Sequence, residues 1–319
     1  MLDAVAVGEL LIDFAMTGTG EDGYPIMEAH PGGAPANYLA AMTERGCKTA
    51  FIGKVGRDAF GTKLIGTLKA AGIETRGLIE SEEAFTTLAF VTFDENGDRS
   101  FSFARKPGAD TQLKIGECDL TLLDEARMLH FGTLSLTHEP ARTATRELIA
   151  YAKKLGNLIS FDPNLRKPLW SDLADAKREM LWGLSQTDIV KISDEEVEFL
   201  WGITPEAGAE KLLREYGCRL VFVTCGADGA VYANRNAMGR AASPKGLKVI
   251  DTTGAGDIFG GSASAKILQT GKAPETLTAD ELSAITRYAC TAASLSCTKK
   301  GGIPSIPCEE DIRCAMAQA

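Results

Sequence analysis

The strongest constraint on this fold is an alternation. Short runs of strand-forming residues recur along the chain: "AVAVG" (4–8), "TAFIG" (49–53), "LAFVTF" (88–93), "RSFSF" (99–103), "MLHF" (128–131), "LISFD" (158–162), "DIVKI" (188–192), "LVFVT" (220–224) and "AVYA" (230–233). Several are apolar throughout, as strands covered on both faces are. Helical patterns lie between them. "APANYLAAMTERG" and "FGTKLIGTLKAAG" each stop at a glycine suited to a C-cap, and residues 140–156 and 205–217 repeat the scheme. The alternation predicts an α/β chain with a doubly wound, mostly parallel sheet flanked by helices.

Two stretches break the rhythm. Residues 9–31 are extended and punctuated by Gly and Pro, and residues 85–105 alternate polar and apolar around "DENGD", a hairpin turn signal. Both read as antiparallel and half exposed, which predicts a small β-sheet lid beside the main sheet. There is no internal repeat, low-complexity stretch or long linker. Residues 1–319 therefore read as one domain, with lid segments at about 9–31 and 85–105.

Composition narrows the function. Hydrophobic residues at 45% and charged residues at 24% suit a globular protein with a sizeable core. A net charge of −9 argues against a nucleic-acid partner, while a small phosphorylated ligand needs only local positive potential. Eight cysteines, with no CxxC pair and no Cys/His metal spacing, read as scattered thiols in a reducing compartment. No apolar run approaches the roughly 20 residues of a membrane helix. The start, "MLDAVAVGELLIDF", reads as a strand and not a signal peptide. A cytoplasmic protein without a membrane partner is the expectation.

Chemistry concentrates in two places. In "DTTGAGDIFGG" (251–261), a strand-like "LKVI" precedes a helix of small and apolar residues. A helix N-terminus exposes unpaired N–H groups and carries a partial positive charge of about half a unit. Small residues let a phosphate approach those groups. Gly254, Ala255 and Gly256 would then form an anion hole, with Asp257 placed to take a proton from an attacking hydroxyl. On the residues alone, a packing turn capped by Asp257 is an equal reading. Phe259 breaks the dinucleotide-binding spacing, and "GRDAFGTK" (56–63) misses a Walker A loop because its Lys follows the Thr. In "PGGAPANYLAAM" (31–42), Gly32 and Gly33 would let a polyol lie against bare backbone while Asn37 and Asp13 bind its hydroxyls. A glycine-rich turn with a spare Asn accounts for the same letters.

"GGAPAN" and "DTTGAGDIFGG" together resemble the two signatures of the PfkB (ribokinase-like) carbohydrate kinase family, and the match runs over essentially the whole chain. "FDPNLR" (161–166), "VKISDEE" (190–196) and "RKPGAD" (105–110) are similar to its fructokinase branch. The resemblance implies a ribokinase-like fold and transfer of the ATP γ-phosphate to a sugar hydroxyl, fructose first. Kinases of 2-keto-3-deoxygluconate, ribose and nucleosides share the signatures. A non-catalytic sugar-binding regulator on the same scaffold would be expected to have lost the base or the glycines, which are intact.

Residue roles follow from the resemblance. Asp257 is implied as catalytic base, and the N–H groups of Gly254, Ala255 and Gly256 as stabilisers of the transferring phosphoryl. Arg166 is implied at phosphate or sugar, and Phe103 and Arg105 would cover and reach a furanose. Lys191, with Thr224, Gly226 and Gly229 of "VTCGADGA", falls on the ATP side. Many members carry Asn-x-x-Glu where this chain has Ser193 and Glu196. Glu196 is thus implied in indirect Mg²⁺ binding, and Ser193 is not assigned to metal. Asp251, Thr253 and the loop 296–305 match a monovalent-cation site, such as K⁺, built from backbone oxygens. The lid's outer face is expected to pair with a second subunit, giving a homodimer.

Overall fold

The computed structural model describes residues 1–93 and 99–317. Strand β1 (Ala4–Val7) shows why the fold is layered. All four of its residues are fully buried, Val5 and Val7 in one hydrophobic core and Ala4 and Ala6 in another. Side chains alternate across a strand, so an uninterrupted apolar run needs cover on both faces. Helices supply it on each side.

Nine strands form the main sheet: β1, β4 (Thr49–Gly56), β5 (Leu78–Ser81), β8 (Met128–Gly132), β9 (Leu158–Asp162), β10 (Ile189–Ser193), β11 (Leu220–Thr224), β12 (Ala230–Asn234) and β13 (Met238–Ala241). Their spatial order is β13-β12-β11-β10-β9-β8-β1-β4-β5. Pairings from β5 through to β11 are parallel; β12 pairs antiparallel with both β11 and β13, so β12 is the reversed strand and β13 returns to the common direction. The chain winds from β1 toward β5, then restarts at β8 on the other side of β1. That reversal creates a switch point, and in such sheets ligands bind outside the carboxyl ends of the strands.

The remaining strands, β2 (Leu11–Thr19), β3 (Pro25–Gly32), β6 (Leu88–Phe93) and β7 (Arg99–Ala104), form a separate sheet in the order β3-β2-β6-β7. Each hairpin is antiparallel within itself, but β2 and β6 join in parallel, which the sequence reading did not anticipate. Two hairpins joined through their first strands give that arrangement when both strands leave the main body in the same direction. The register aligns His30, Asp13, Ala89 and Phe103 in one row across the four strands, hence on one face. On the other face Phe14 stacks on Phe90 and meets Phe60 of the Ala59–Ala70 helix edge-on. The expected turn "DENGD" lies outside the described residues.

One expected strand is missing. "LKVI" (247–250) is irregular, with Val249 61% and Ile250 52% exposed. Ile250 N–H donates to Cys297 O instead of entering a ladder. The segment follows Pro244 and Gly246 and carries Lys248, and it lacks the cover that the equally short β1 receives on both faces.

Candidate active site

The Ala255–Thr270 helix starts from Gly254, whose φ of 76° lies in the left-handed region that glycine enters freely. A Cβ on Gly254 would come within 3.0 Å of Gly302 Cα and 3.2 Å of Asn37 Nδ2, so two other segments close on this turn. Small residues then draw this helix onto the Ala34–Glu44 helix: a Cβ on Gly261 would sit 2.2 Å from Tyr38 O. The close approach brings the two sequence signatures together. Asn37 Nδ2 donates to Asp257 Oδ2 at 2.9 Å. Asn37 is buried, and its Oδ1 has no hydrogen-bond partner among the described residues.

Asp257 lies in the first helical turn and does not cap it. Its carboxyl is pushed up to about 6, first by burial and then by the negative charge of Asp162. The Asn37 hydrogen bond, Lys191 and Arg166 pull the other way. Of the expected anion-hole donors, Ala255 N–H turns back to Thr252 O at 3.2 Å, whereas Gly256 faces a cation. Lys191 Nζ would be 2.7 Å from a Cβ on Gly256. The same ammonium pairs with Asp162 Oδ2 at 2.9 Å. Burial works against the charged Lys191, but Asp162, Glu196 and Asp257 outweigh it and hold the residue above the usual lysine range.

A cleft of about 460 Å³ runs from Arg166 and Glu196 past Lys191 and Gly256 to Thr224 and Gly226. It opens at the carboxyl ends of β9, β10 and β11, where the sheet topology places a ligand. Arg166 is exposed there, with Nη1 turned to Leu165 O at 3.4 Å. Gly229 stands off the cleft. Its φ of 94° and a Cβ position 2.0 Å from Ala241 O tie it to the sharp β11–β12 turn. Glu196 lines the wall, and both its carboxylate oxygens accept backbone N–H groups, Oε1 from Leu165 at 2.7 Å and Oε2 from Ser193 at 2.9 Å. Ser193 Oγ in turn accepts Glu196 N–H at 3.1 Å. The pair is a capping box for the Asp194–Trp201 helix, which accounts physically for Ser at this position. No group of three or more His, Cys, Asp or Glu among the described residues is arranged to hold a metal.

Asp13 enters from the small sheet, its Oδ2 only 2.1 Å from where a Cβ on Gly32 would lie. Burial pushes its carboxyl up to about 6, with Arg166 and His30 opposing and Asp251 reinforcing. Gly33 has φ 119°, and a Cβ there would lie 2.5 Å from Glu9 O. Phe103 shares the face that carries Asp13. Asp251 Oδ1 accepts the N–H and hydroxyl of Thr253 at 3.0 and 2.8 Å, and its Oδ2 accepts Gly301 N–H at 2.9 Å. That carboxylate stitches the 251–253 turn to the 296–305 loop.

Arg105 departs from its expected place. It is folded inward, 3% exposed, with Nε and Nη2 donating to Asp110 Oδ2 at 2.8 and 2.6 Å. Nη1 donates to Thr137 Oγ1 and Nη2 to Leu134 O. A guanidinium has five donors in a rigid fork, and these four bonds direct it into the scaffold instead of toward a sugar. Sequence reasoning also passed over two residues. Asp162 sits between Lys191 and Asp257 electrostatically, and its signal was a carboxylate ending a parallel strand. Glu9, buried directly after β1, accepts Ala34 N–H at 3.0 Å and so holds the start of the helix that carries Asn37.

Residues 1–308 match the model of the pfkB family carbohydrate kinases. Fructokinase-2 of Solanum lycopersicum is 39% identical over 313 residues, which are 95% of this chain and 92% of that protein. A fructokinase with bound ATP from Xylella fastidiosa superposes with a TM-score of 0.91 at 28% identity, over all of this chain and 99% of the other. A fructokinase from Vibrio cholerae O395 in a fructose-, ADP- and calcium-bound form gives 0.84 at 29% identity, over 98% of each chain. The architecture, a large mixed sheet flanked by helices beside a small separate sheet, is the ribokinase-like fold. With one family model spanning nearly its whole length, this chain belongs to the pfkB family of carbohydrate kinases.

Proposed function

We propose that the enzyme is a fructokinase that transfers the γ-phosphate of ATP to a hydroxyl of fructose. The observation that carries this reading is the buried Asp257 carboxylate, held by Asn37 beside a helix N-terminus against which Lys191 rests. Asp257 takes the proton of the acceptor hydroxyl as its oxygen bonds to the γ-phosphorus. The bond from that phosphorus to the bridging oxygen breaks, leaving ADP. Gly256 N–H, its helix and Lys191 meet the charge on the transferring group, since phosphoryl transfer asks mainly for positioning and charge neutralisation. Arg166 closes the same cleft, and Thr224 and Gly226 line its nucleotide end.

Asp13, Gly32, Asn37 and Phe103 form the acceptor's surroundings, with the small sheet as a lid. A neutral sugar suits them: with Arg105 engaged by Asp110, one cation fewer is left for an acceptor bearing a carboxylate, such as 2-keto-3-deoxygluconate. Mg²⁺ fits as a companion of the nucleotide: Asp194, Glu195 and Glu196 line the cleft, no three acidic groups among the described residues are arranged as a metal cage, and Mg²⁺ keeps waters and substrate phosphates as ligands. Glu196 would hold it through water. A monovalent cation such as K⁺ would be held by backbone oxygens of the turn and loop that Asp251 joins. A cytoplasmic location completes the reading, supported by eight free thiols, and pairing through the lid's outer face would make the enzyme a homodimer, a reading supported by the exposed Tyr24 and Ile26 of its first hairpin.

The test is ATP-dependent turnover with fructose against other ketoses, 2-keto-3-deoxygluconate, ribose and nucleosides. The highest kcat/KM should fall on fructose. A higher value on any other acceptor reassigns the substrate, and no turnover on any overturns the enzyme reading.

A further inference from the structure

The small sheet touches the main body through a contact that catalysis as described does not use. One carboxylate oxygen, Glu28 Oε2 on β3, lies 3.4 Å from His30 Nε2 and 3.6 Å from Lys300 Nζ. Glu28 and His30 are two apart on a strand and so share a face, which the register identifies as the face carrying Asp13. Lys300 belongs to the loop after the Ala279–Ser296 helix. His30 Nδ1 is 3.6 Å from the Cβ position of Gly301 in that loop, so the ring lies over its backbone.

The loop is itself part of the site's scaffold. Gly301 N–H is fixed by Asp251. A Cβ on Gly302 would lie 2.2 Å from Asn37 Oδ1, and Gly302 Cα is 3.0 Å from the Cβ position of Gly254. The segment that receives the small sheet's acid–base contact therefore also packs on the residue that holds Asp257 and on the turn that starts its helix.

We propose that Glu28, His30 and Lys300 are positioning residues: a latch between lid and loop that sets Asp13, and with it the acceptor, over the Gly254–Gly256 turn. The idea deepens the sugar-kinase reading and rests on it. Glu28 and Lys300 are 51% and 59% exposed, so the pair holds the lid weakly. Weak is what a latch needs if the acceptor is to enter and leave.

The test is a charge swap. Glu28→Lys, Lys300→Glu and the double exchange are compared with the unaltered enzyme at saturating ATP, following both sugar phosphate formed and phosphate released to water. Each single reversal should raise the acceptor KM, and the ratio of hydrolysis to transfer, by roughly two- to fivefold, the range open to an exposed pair. The ATP KM should stay put. The double exchange should bring both readouts back toward the starting values. Unmoved single variants, or a double variant showing the product of the two single effects, overturn the latch. The unaltered enzyme keeps the two ideas apart: absence of fructose turnover there counts against the substrate, and the latch is then read with whichever acceptor the enzyme does phosphorylate. If none is used, amide exchange in Pro25–Gly32 replaces kinetics. Faster exchange in both single variants, restored by the double, sustains the latch, and equal exchange overturns it.

Discussion

Asn37 and Asp257, 220 positions apart, meet through a single hydrogen bond of 2.9 Å. The bond stabilises the charged carboxylate, and it opposes the burial that pushes Asp257 up to about 6. Removing it should therefore raise the pKa further. In Asn37→Ala, the acid limb of kcat against pH is expected to move to higher pH, because a base must be deprotonated to work. Asp257→Asn keeps the volume and should lose at least about a hundredfold in turnover, the usual worth of a general base. An acid limb unmoved in Asn37→Ala would show that some other group sets the base.

Gly256 faces Lys191, and that contact makes a second prediction. Gly256 lies inside the helix and needs no unusual φ. The obstacle to a side chain is the Lys191 ammonium, 2.7 Å from the Cβ position. Because that obstacle is the tip of a flexible side chain, Gly256→Ala should fold normally and displace the cation. Turnover is expected to fall by roughly ten- to a hundredfold, toward the loss typical of one preorganised donor, with the sugar KM little changed. Stopped-assay kinetics at saturating ATP would check it, and normal turnover would remove Lys191 from the phosphoryl site.

How far the sequence could be read depended on the distance over which each feature is encoded. "AVAV", "LISF" and "LVFV" announce doubly covered strands by their own letters, and "GGAPAN" and "TGAGD" announce bare backbone at two helix starts. The partnership of Asn37 with Asp257 has no local trace, since it depends on Gly261 letting two helices touch. Arg105 looked available for the same reason: its neighbour Asp110 is visible, but Thr137 and Leu134 arrive only through the fold. "LKVI" misled because its apolar letters signal burial, yet Val249 and Ile250 are left exposed and Leu247 is only half-buried. Ser193 and Glu196 show the reverse, a capping box written in four letters but overshadowed by an expectation about metal.

Glu9 gives a prediction about stability. Burial pushes its carboxyl from the ordinary 4.5 up to about 7, against the pull of hydrogen bonds from its own and the Ala34 N–H and of the Arg105 charge. A group whose pKa is raised on folding contributes most below its unfolded value, and that contribution is lost as pH rises through the folded one. The unaltered protein should thus lose on the order of 3 kcal/mol between about pH 4.5 and pH 7 from this group. Glu9→Gln, whose amide oxygen can still accept Ala34 N–H, should flatten that part of the curve. Urea unfolding at several pH values would show it, and parallel curves would mean Glu9 titrates as it does in the unfolded chain.

The small sheet makes a dynamic prediction. If it closes over the acceptor to keep water from the γ-phosphate, saturating sugar should slow amide exchange in Leu11–Thr19, Pro25–Gly32 and Leu88–Phe93. The Ala141–Leu155 helix, packed in the core on one side of the main sheet, should be almost unaffected. Equal exchange in the strands with and without sugar would count against a lid.

The Lys191–Asp162 pair offers the sharpest separation of stability from chemistry. Both side chains are largely buried, 12% and 6% exposed, and their 2.9 Å contact leaves each dependent on the other. Lys191→Met removes the cation and strands the Asp162 carboxylate in the interior, which typically costs about 3–5 kcal/mol. Asp162→Asn leaves the lysine charged beside a neutral amide, still attracted by Glu196 and Asp257, and should cost less. Combining the two substitutions removes both charges, and much of the lost stability should return, since neutral replacements of a buried pair are often tolerated. Activity should not return with it. Lys191 also opposes the rise in Asp257's pKa, so its loss should carry the acid limb of the rate profile to higher pH while weakening charge neutralisation at Gly256. Asp162 acts in the opposite sense on Asp257, and Asp162→Asn alone should lower that limb. Denaturant melts and pH profiles on the three variants would give six independent readings. Recovery of turnover together with stability in the double variant would reduce the pair to a structural ion pair.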